Sequence, residues 1–126
     1  MDSSGGVNRG LSPQMFALGL GHTVDAVFLE ILNRIHESIL IIDADTRVCF
    51  VNDSYLQMFG IKREKIVGRL LADFEPLARI RDVLRTREPA IGDISYIQSA
   101  KMNVIADISP LFCGDTLIGA VALMKN

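Results

Sequence analysis

Cysteine is scarce in this chain: 126 residues carry only Cys49 and Cys113. Two thiols are too few for the disulfide framework of a small secreted domain, and each falls in an apolar, strand-like run, so both are expected as buried free thiols. Charge of one sign is scarce too. The net charge of −2 leaves no long-range field to draw the protein to nucleic acid or to anionic lipid, so direct nucleic-acid contact is not expected. No apolar run approaches the roughly 18 residues of a membrane span. The first residues also lack a basic segment followed by an apolar one. A cytoplasmic protein with no membrane contact is the expectation. The chain shows no paired-cysteine spacing for a metal, no nucleophile beside a base and no phosphate-cradling glycine loop. No catalytic residue and no metal site are expected.

What is present suffices for one compact core, since 49% of the residues are hydrophobic and 22% charged, and the length is short for two domains. The stretch Ser38 to Asn52, SILIIDADTRVCFVN, organises the rest. Ile39 to Ile42 form an apolar run too short for a stable helix, bounded by turn residues, and read as a buried strand. Asp43 to Thr46 supply turn chemistry through short side chains that bond their own backbone. Val48 to Val51 resume with β-branched and aromatic residues, which completes a hairpin. Asn52 follows as a helix N-cap, its side-chain carbonyl placed to accept an N–H from the next turn.

Upstream, residues 1–22 are expected to be flexible. Met1 to Gly10 has little to bury, and Leu11 to Gly21 is broken by Pro13, Gly19 and Gly21. From Thr23 to Glu37 the apolar positions Val24, Val27, Phe28, Ile31, Leu32 and Ile35 recur at helical spacing, which predicts an amphipathic helix over 23–37. Within it Val24, Phe28, Ile31 and Ile35 follow the four-three-four spacing of a coiled-coil seam. They fit a homodimer interface as well as packing on the chain's own sheet. His36 is expected to meet the dipole at this helix's end.

Downstream, Asn52 to Phe59 predict a short helix closed by Gly60, and Lys62 to Val67 a second, polar one ended by Gly68. Leu70 to Phe74 is ambiguous. Pro76 opens a further helix with the stripe Leu77, Ile80, Val83 and Leu84, whose other faces carry Arg79, Arg81, Arg85 and Arg87. After Pro89 the period becomes two. A relatively polar strand holds Ile94, Tyr96 and Ile97. A second runs from Met102 to Leu111 with Met102, Val104, Ala106 and Ile108 on one face, and a third, nearly continuous apolar run spans Thr116 to Met124. The two most apolar strands belong in the middle of a sheet. This predicts an α+β fold with a five-stranded antiparallel sheet of order 2-1-5-4-3, short helices covering one face and a core over 38–126.

Residues Ser38 to Asp43, Asp45-Thr46-Arg47, Phe50-Val51-Asn52, Tyr55, Phe59-Gly60, Glu64 to Gly68 and Leu117 to Val121 occur in an order that resembles a PAS domain, the sensory box of bacterial signalling proteins. Thr46 stands where the family usually has glycine, so a different hairpin-turn geometry is expected. Leu77 to Pro89 (LARIRDVLRTREP), Asn103-Val104-Ile105 and Pro110-Leu111-Phe112 look most like PAS domains of bacterial sigma-54-dependent (enhancer-binding) transcriptional regulators. The resemblance implies a noncatalytic dimeric sensor that binds a small ligand or partner and signals to an output module, AAA+ or kinase, in a longer parent chain. The alternative is a ligand-free dimerisation module of a sensor histidine kinase.

No cofactor is expected. Covalent flavin photochemistry in such domains requires a cysteine after Gly68, where Leu70 to Asp73 stand, and haem requires a histidine on the long helix, whereas His22 and His36 both precede the hairpin. The interior lining is expected from Tyr55, Phe59, Phe74, Leu77, Ile80, Leu84, Tyr96 and Ile105, as ligand pocket or as filled core. A small α+β enzyme would instead draw on Tyr55, Tyr96 and Asp107. Strand alternation turns Asp107 outward, away from Val104, Ala106 and Ile108.

Overall fold

A computed structural model of the chain describes residues 23–73, 78–98 and 100–126. The expected flexible segment 1–22 lies outside the described residues. Helix α1, Thr23–Arg34, leads into β1, Ser38–Asp43, and β2, Val48–Val51. Helix α2, Asp53–Phe59, follows, then single 3-10 turns at Arg63–Lys65 and Leu71–Asp73 and helix α3, Ala78–Thr86. Three long strands close the fold: β3, Ala90–Ile97; β4, Met102–Cys113; and β5, Thr116–Lys125. All pairings are antiparallel and the order is β2-β1-β5-β4-β3, as the distribution of apolar runs predicts. Where β5 crosses β1 the backbones are close enough that a methyl group at Gly119 would collide with the Ile42 carbonyl oxygen.

Alternation gives the sheet two apolar faces. The inner one carries Leu40, Ile42, Val104, Ala106, Ile108, Ala120, Ala122 and Met124 against Tyr55 of α2 and Ile80 and Val83 of α3. On the outer one, Ile39, Ile41, Cys49 and Phe50 form a second cluster, against which Leu29 and Leu32 of α1 pack. Burial of both faces fits β1, whose first five residues are all buried.

Four local details differ from the sequence-based expectation. Helix α1 stops at Arg34 rather than 37, so exposed His36 lies beyond its last turn. The Lys62–Val67 helix shrinks to one 3-10 turn because the chain must reach the open edge of β2: Gly68 N–H donates to Val48 O at 2.8 Å and Val48 N–H to Arg69 O at 2.9 Å. Thr46 does not change the turn geometry. It holds φ 70°, a left-handed conformation that glycine adopts freely and a β-branched residue resists. Asp43 Oδ1 secures the turn by accepting from Asp45 N–H and Arg47 N–H, both at 2.9 Å. Cys113, expected to be buried, is exposed at the end of β4, whereas Cys49 is buried.

Candidate functional site

Of the expected interior residues, four meet on the inner face. Tyr55 and Ile80 are buried in the main cluster, with Phe59 and Leu84 partly buried against it. The Tyr55 and Phe59 rings, one helical turn apart on α2, have centroids 4.5 Å apart and are tilted by 43°, a geometry that suits the aromatic quadrupoles. Phe74 and Leu77 lie outside the described residues. Tyr96 and Ile105 do not belong to this lining. In register, Tyr96 pairs with Asn103 and Ile105 with Ile94, all on the outer face, where Tyr96 is 55% and Ile105 40% exposed. The parity that turns Asp107 outward turns Ile105 outward as well, and Ile97, one residue after Tyr96, is the buried member of that pair.

Burial pushes the Tyr55 phenol well above the ordinary tyrosine range, since the phenolate would lose its hydration. Its hydroxyl makes no hydrogen bond among the described residues. Among the described residues no charged side chain is buried in this cluster, and the Tyr55 phenol is a polar group among apolar ones. Tyr55, Tyr96 and Asp107 do not assemble into an acid-base site, because Tyr55 is on the inner face and the other two are on the outer. Asp107 is exposed and accepts Gly92 N–H at 2.8 Å, where β3 bulges at φ 69°. Among the described residues no three His, Cys, Asp or Glu side chains gather as a metal site. No helix there is long and apolar enough to cross a membrane.

Of the expected dimer stripe, Phe28, Ile31 and Ile35 are exposed, with Val27 beside them, while Leu29 and Leu32 turn onto the sheet. The side chain of Val24 lies outside the described residues. On β3 the outer face adds an apolar patch that sequence reasoning missed, with Ile91 and Ile94 about 70% exposed. Period-two alternation around the buried Ile97 carried that signal.

Asn52 does more than its predicted N-capping. Fully buried, it accepts at Oδ1 from Tyr55 N–H at 3.0 Å and from Ile39 N–H at 2.9 Å. Its Nδ2 donates to the carbonyls of Leu32, Ile35 and Glu37 at 3.0, 3.2 and 2.9 Å. Only one amide orientation fits two N–H groups on one side and three carbonyls on the other.

Among solved structures, the chain is similar to the E. coli DhaR(N)-DhaL complex, with a TM-score of 0.65 and 12% identity over 80% of this chain and 35% of that one. It thus spans about a third of that relative's length. The PAS domain of nitrogen regulation protein NR(II) from Vibrio parahaemolyticus matches with a TM-score of 0.58 and 16% identity, covering 79% of this chain and 97% of that one. The PAS domain of histidine kinase ThkA matches with a TM-score of 0.57 and 22% identity, covering 71% and 99%. At these identities the likeness concerns the fold. No curated protein matches the chain. A family model described as a PAS domain matches residues 26–91, more than half of the sequence, and with the sheet order and the placement of the helices it establishes that this chain belongs to the PAS domain family.

Proposed function

We propose that this PAS domain is a noncatalytic sensory module that pairs with a second copy through α1 and passes a ligand- or partner-dependent bias to an output module in a longer parent chain. The observation that carries this reading is the stripe of Val27 and Ile31 on α1 with Ile35 just past its end, apolar and exposed, on a helix whose Leu29 and Leu32 hold it to the sheet. Pairing two such stripes removes apolar surface from water. The interior supports a small, uncharged ligand, since it offers apolar side chains and the Tyr55 hydroxyl and no buried charge. Such a ligand moves the output only by binding two arrangements of the domain unequally. A sigma-54-dependent transcriptional regulator is the host we favour, on the resemblance carried by Leu77 to Pro89 and Pro110-Leu111-Phe112.

Sedimentation velocity tests the pairing. The unaltered chain should run as a dimer and the double variant Val27→Asp with Ile31→Asp as a monomer; both positions are over half exposed, so the monomer should stay folded. An unchanged mass would remove the reading. A ligand-free dimerisation part of a sensor histidine kinase is the second reading. It is favoured by the likeness to the ThkA PAS domain and by an inner face buried almost completely. Native mass spectrometry separates the two, since retained extra mass supports the sensor and clean dimers that bind no added candidate support the dimerisation part.

A further inference from the structure

The link between the interior and the N-terminal helix runs through one side chain. The carbonyls of Leu32 and Ile35 lie at the C-terminal end of α1, where the last turn runs out of helical donors and Leu32 O takes only a 3.3 Å bond from the Ile35 N–H. Asn52 Nδ2 supplies donors to both and to Glu37 O in the link to β1. Its Oδ1 meanwhile fills the N-terminal end of α2 through Tyr55 N–H. One amide therefore caps the end of one helix and the start of another, from positions 20, 17 and 15 residues apart in sequence on the α1 side.

We infer that Asn52 is a positioning residue that couples the two helices, so that α1 loosens from the sheet when the first turn of α2 is disturbed, and the reverse. Three observations support this. Apart from the Arg34–Glu30 pair within α1, the side-chain hydrogen bonds to the 33–35 stretch come from the same neighbourhood: Ser54 Oγ donates to Ile35 O at 2.9 Å, and Arg63 Nη2, which also bonds Asp53, reaches Asn33 Oδ1 at 3.5 Å. The apolar hold on α1 is modest, because Leu29 and Leu32 are only partly buried, which leaves the polar clamp to set where the helix ends. Finally, Tyr55 gives its backbone N–H to Asn52 while its ring lies in the interior. A shift of that ring therefore moves the donor on which the clamp is aligned. A buried amide with every group satisfied tolerates little displacement, since each lost bond leaves a desolvated carbonyl or N–H.

The test is amide hydrogen exchange by NMR on the full chain. Asn52→Asp keeps both acceptor bonds and a good N-cap but has no N–H for the three carbonyls. The amides of Leu29 to Arg34 should then exchange about tenfold faster or more, while those of β1 and β5 keep their protection. Leu29→Ala with Leu32→Ala loosens α1 without touching α2. Coupling is reciprocal, so the Tyr55 and Leu56 amides should exchange faster in this variant too, and its partly buried sites let the core fold even if Asn52→Asp does not. Unaltered exchange at Tyr55 and Leu56 in the double variant would overturn the inference. So would uniform loss of protection across sheet and helices in a folded Asn52→Asp protein, because Asn52 would then contribute only to global stability.

Discussion

On the face beneath α2 and α3 the sheet presents Leu40, Ile42, Val104, Ala106, Ile108, Ala120, Ala122 and Met124, all buried. On the other face Ile39, Ile41 and Phe50 lie with α1, and then Ile105, Ile94 and Tyr96 continue in the open. The strands and residue types are alike, and the difference lies in what covers them. Helices of 7 and 9 residues, with the turns between, close the inner face; among the described residues the outer face has one helix, α1, held by two leucines and a polar clamp. Apolar alternation therefore marks where a sheet can be buried, while coverage depends on elements elsewhere in the chain.

The contrast can be broken first with a thiol reagent. Burial, and then the negative charge of Asp43, push the Cys49 thiol from 9.0 to about 11, so at pH 8 its reactive thiolate is roughly a hundredfold rarer than that of an unperturbed thiol. Exposed Cys113 should be alkylated in the native protein while Cys49 is spared. Equal labelling, read by mass spectrometry, would mean that the covered half of the outer face is open. The same shift has a stability consequence. Between pH 9.0 and about 11 the unfolded thiol ionises and the folded one does not, so the Cys49 contribution, complete below that window, is lost as pH rises through it.

Substitutions then grade the two faces by urea unfolding. Ile80→Ala, on the closed face, should cost about 3 kcal/mol through lost contacts and a cavity. Leu32→Ala, under α1, should cost about 1–2 kcal/mol, because its site is only partly buried and can relax. Ile94→Ser, in the open half, should stay within about 0.5 kcal/mol in dilute solution. If Ile94→Ser cost as much as Leu32→Ala, the open half would be covered in the isolated chain, and the distinction between the faces would fail.

Much of this architecture is legible in the residues. The apolar runs at Ile39–Ile42 and Thr116–Met124 require central strands, Asn52 and Gly60 bracket a helix, and the parity of Val104, Ala106 and Ile108 assigns the inner face of β4. Tyr96 and Ile105 are large and apolar, which suggests a lining, but a strand places neighbours on opposite faces whatever their size. The end of α1 was not legible, because the group that satisfies its last carbonyls lies in a different element.

The sequence by itself determined the strands, the longer helices, the order of the sheet and the presence of two apolar faces, since these follow from local period, turn chemistry and the burial that an apolar run demands. Only the tertiary structure decided that Leu29 and Leu32 hold α1 to the sheet while Val27 and Ile31 stay outside, that one half of the outer face is covered, and that Asn52 caps two helices. The α1 side of the Asn52 clamp spans 15 to 20 residues of sequence, and such groups meet only once the sheet has formed.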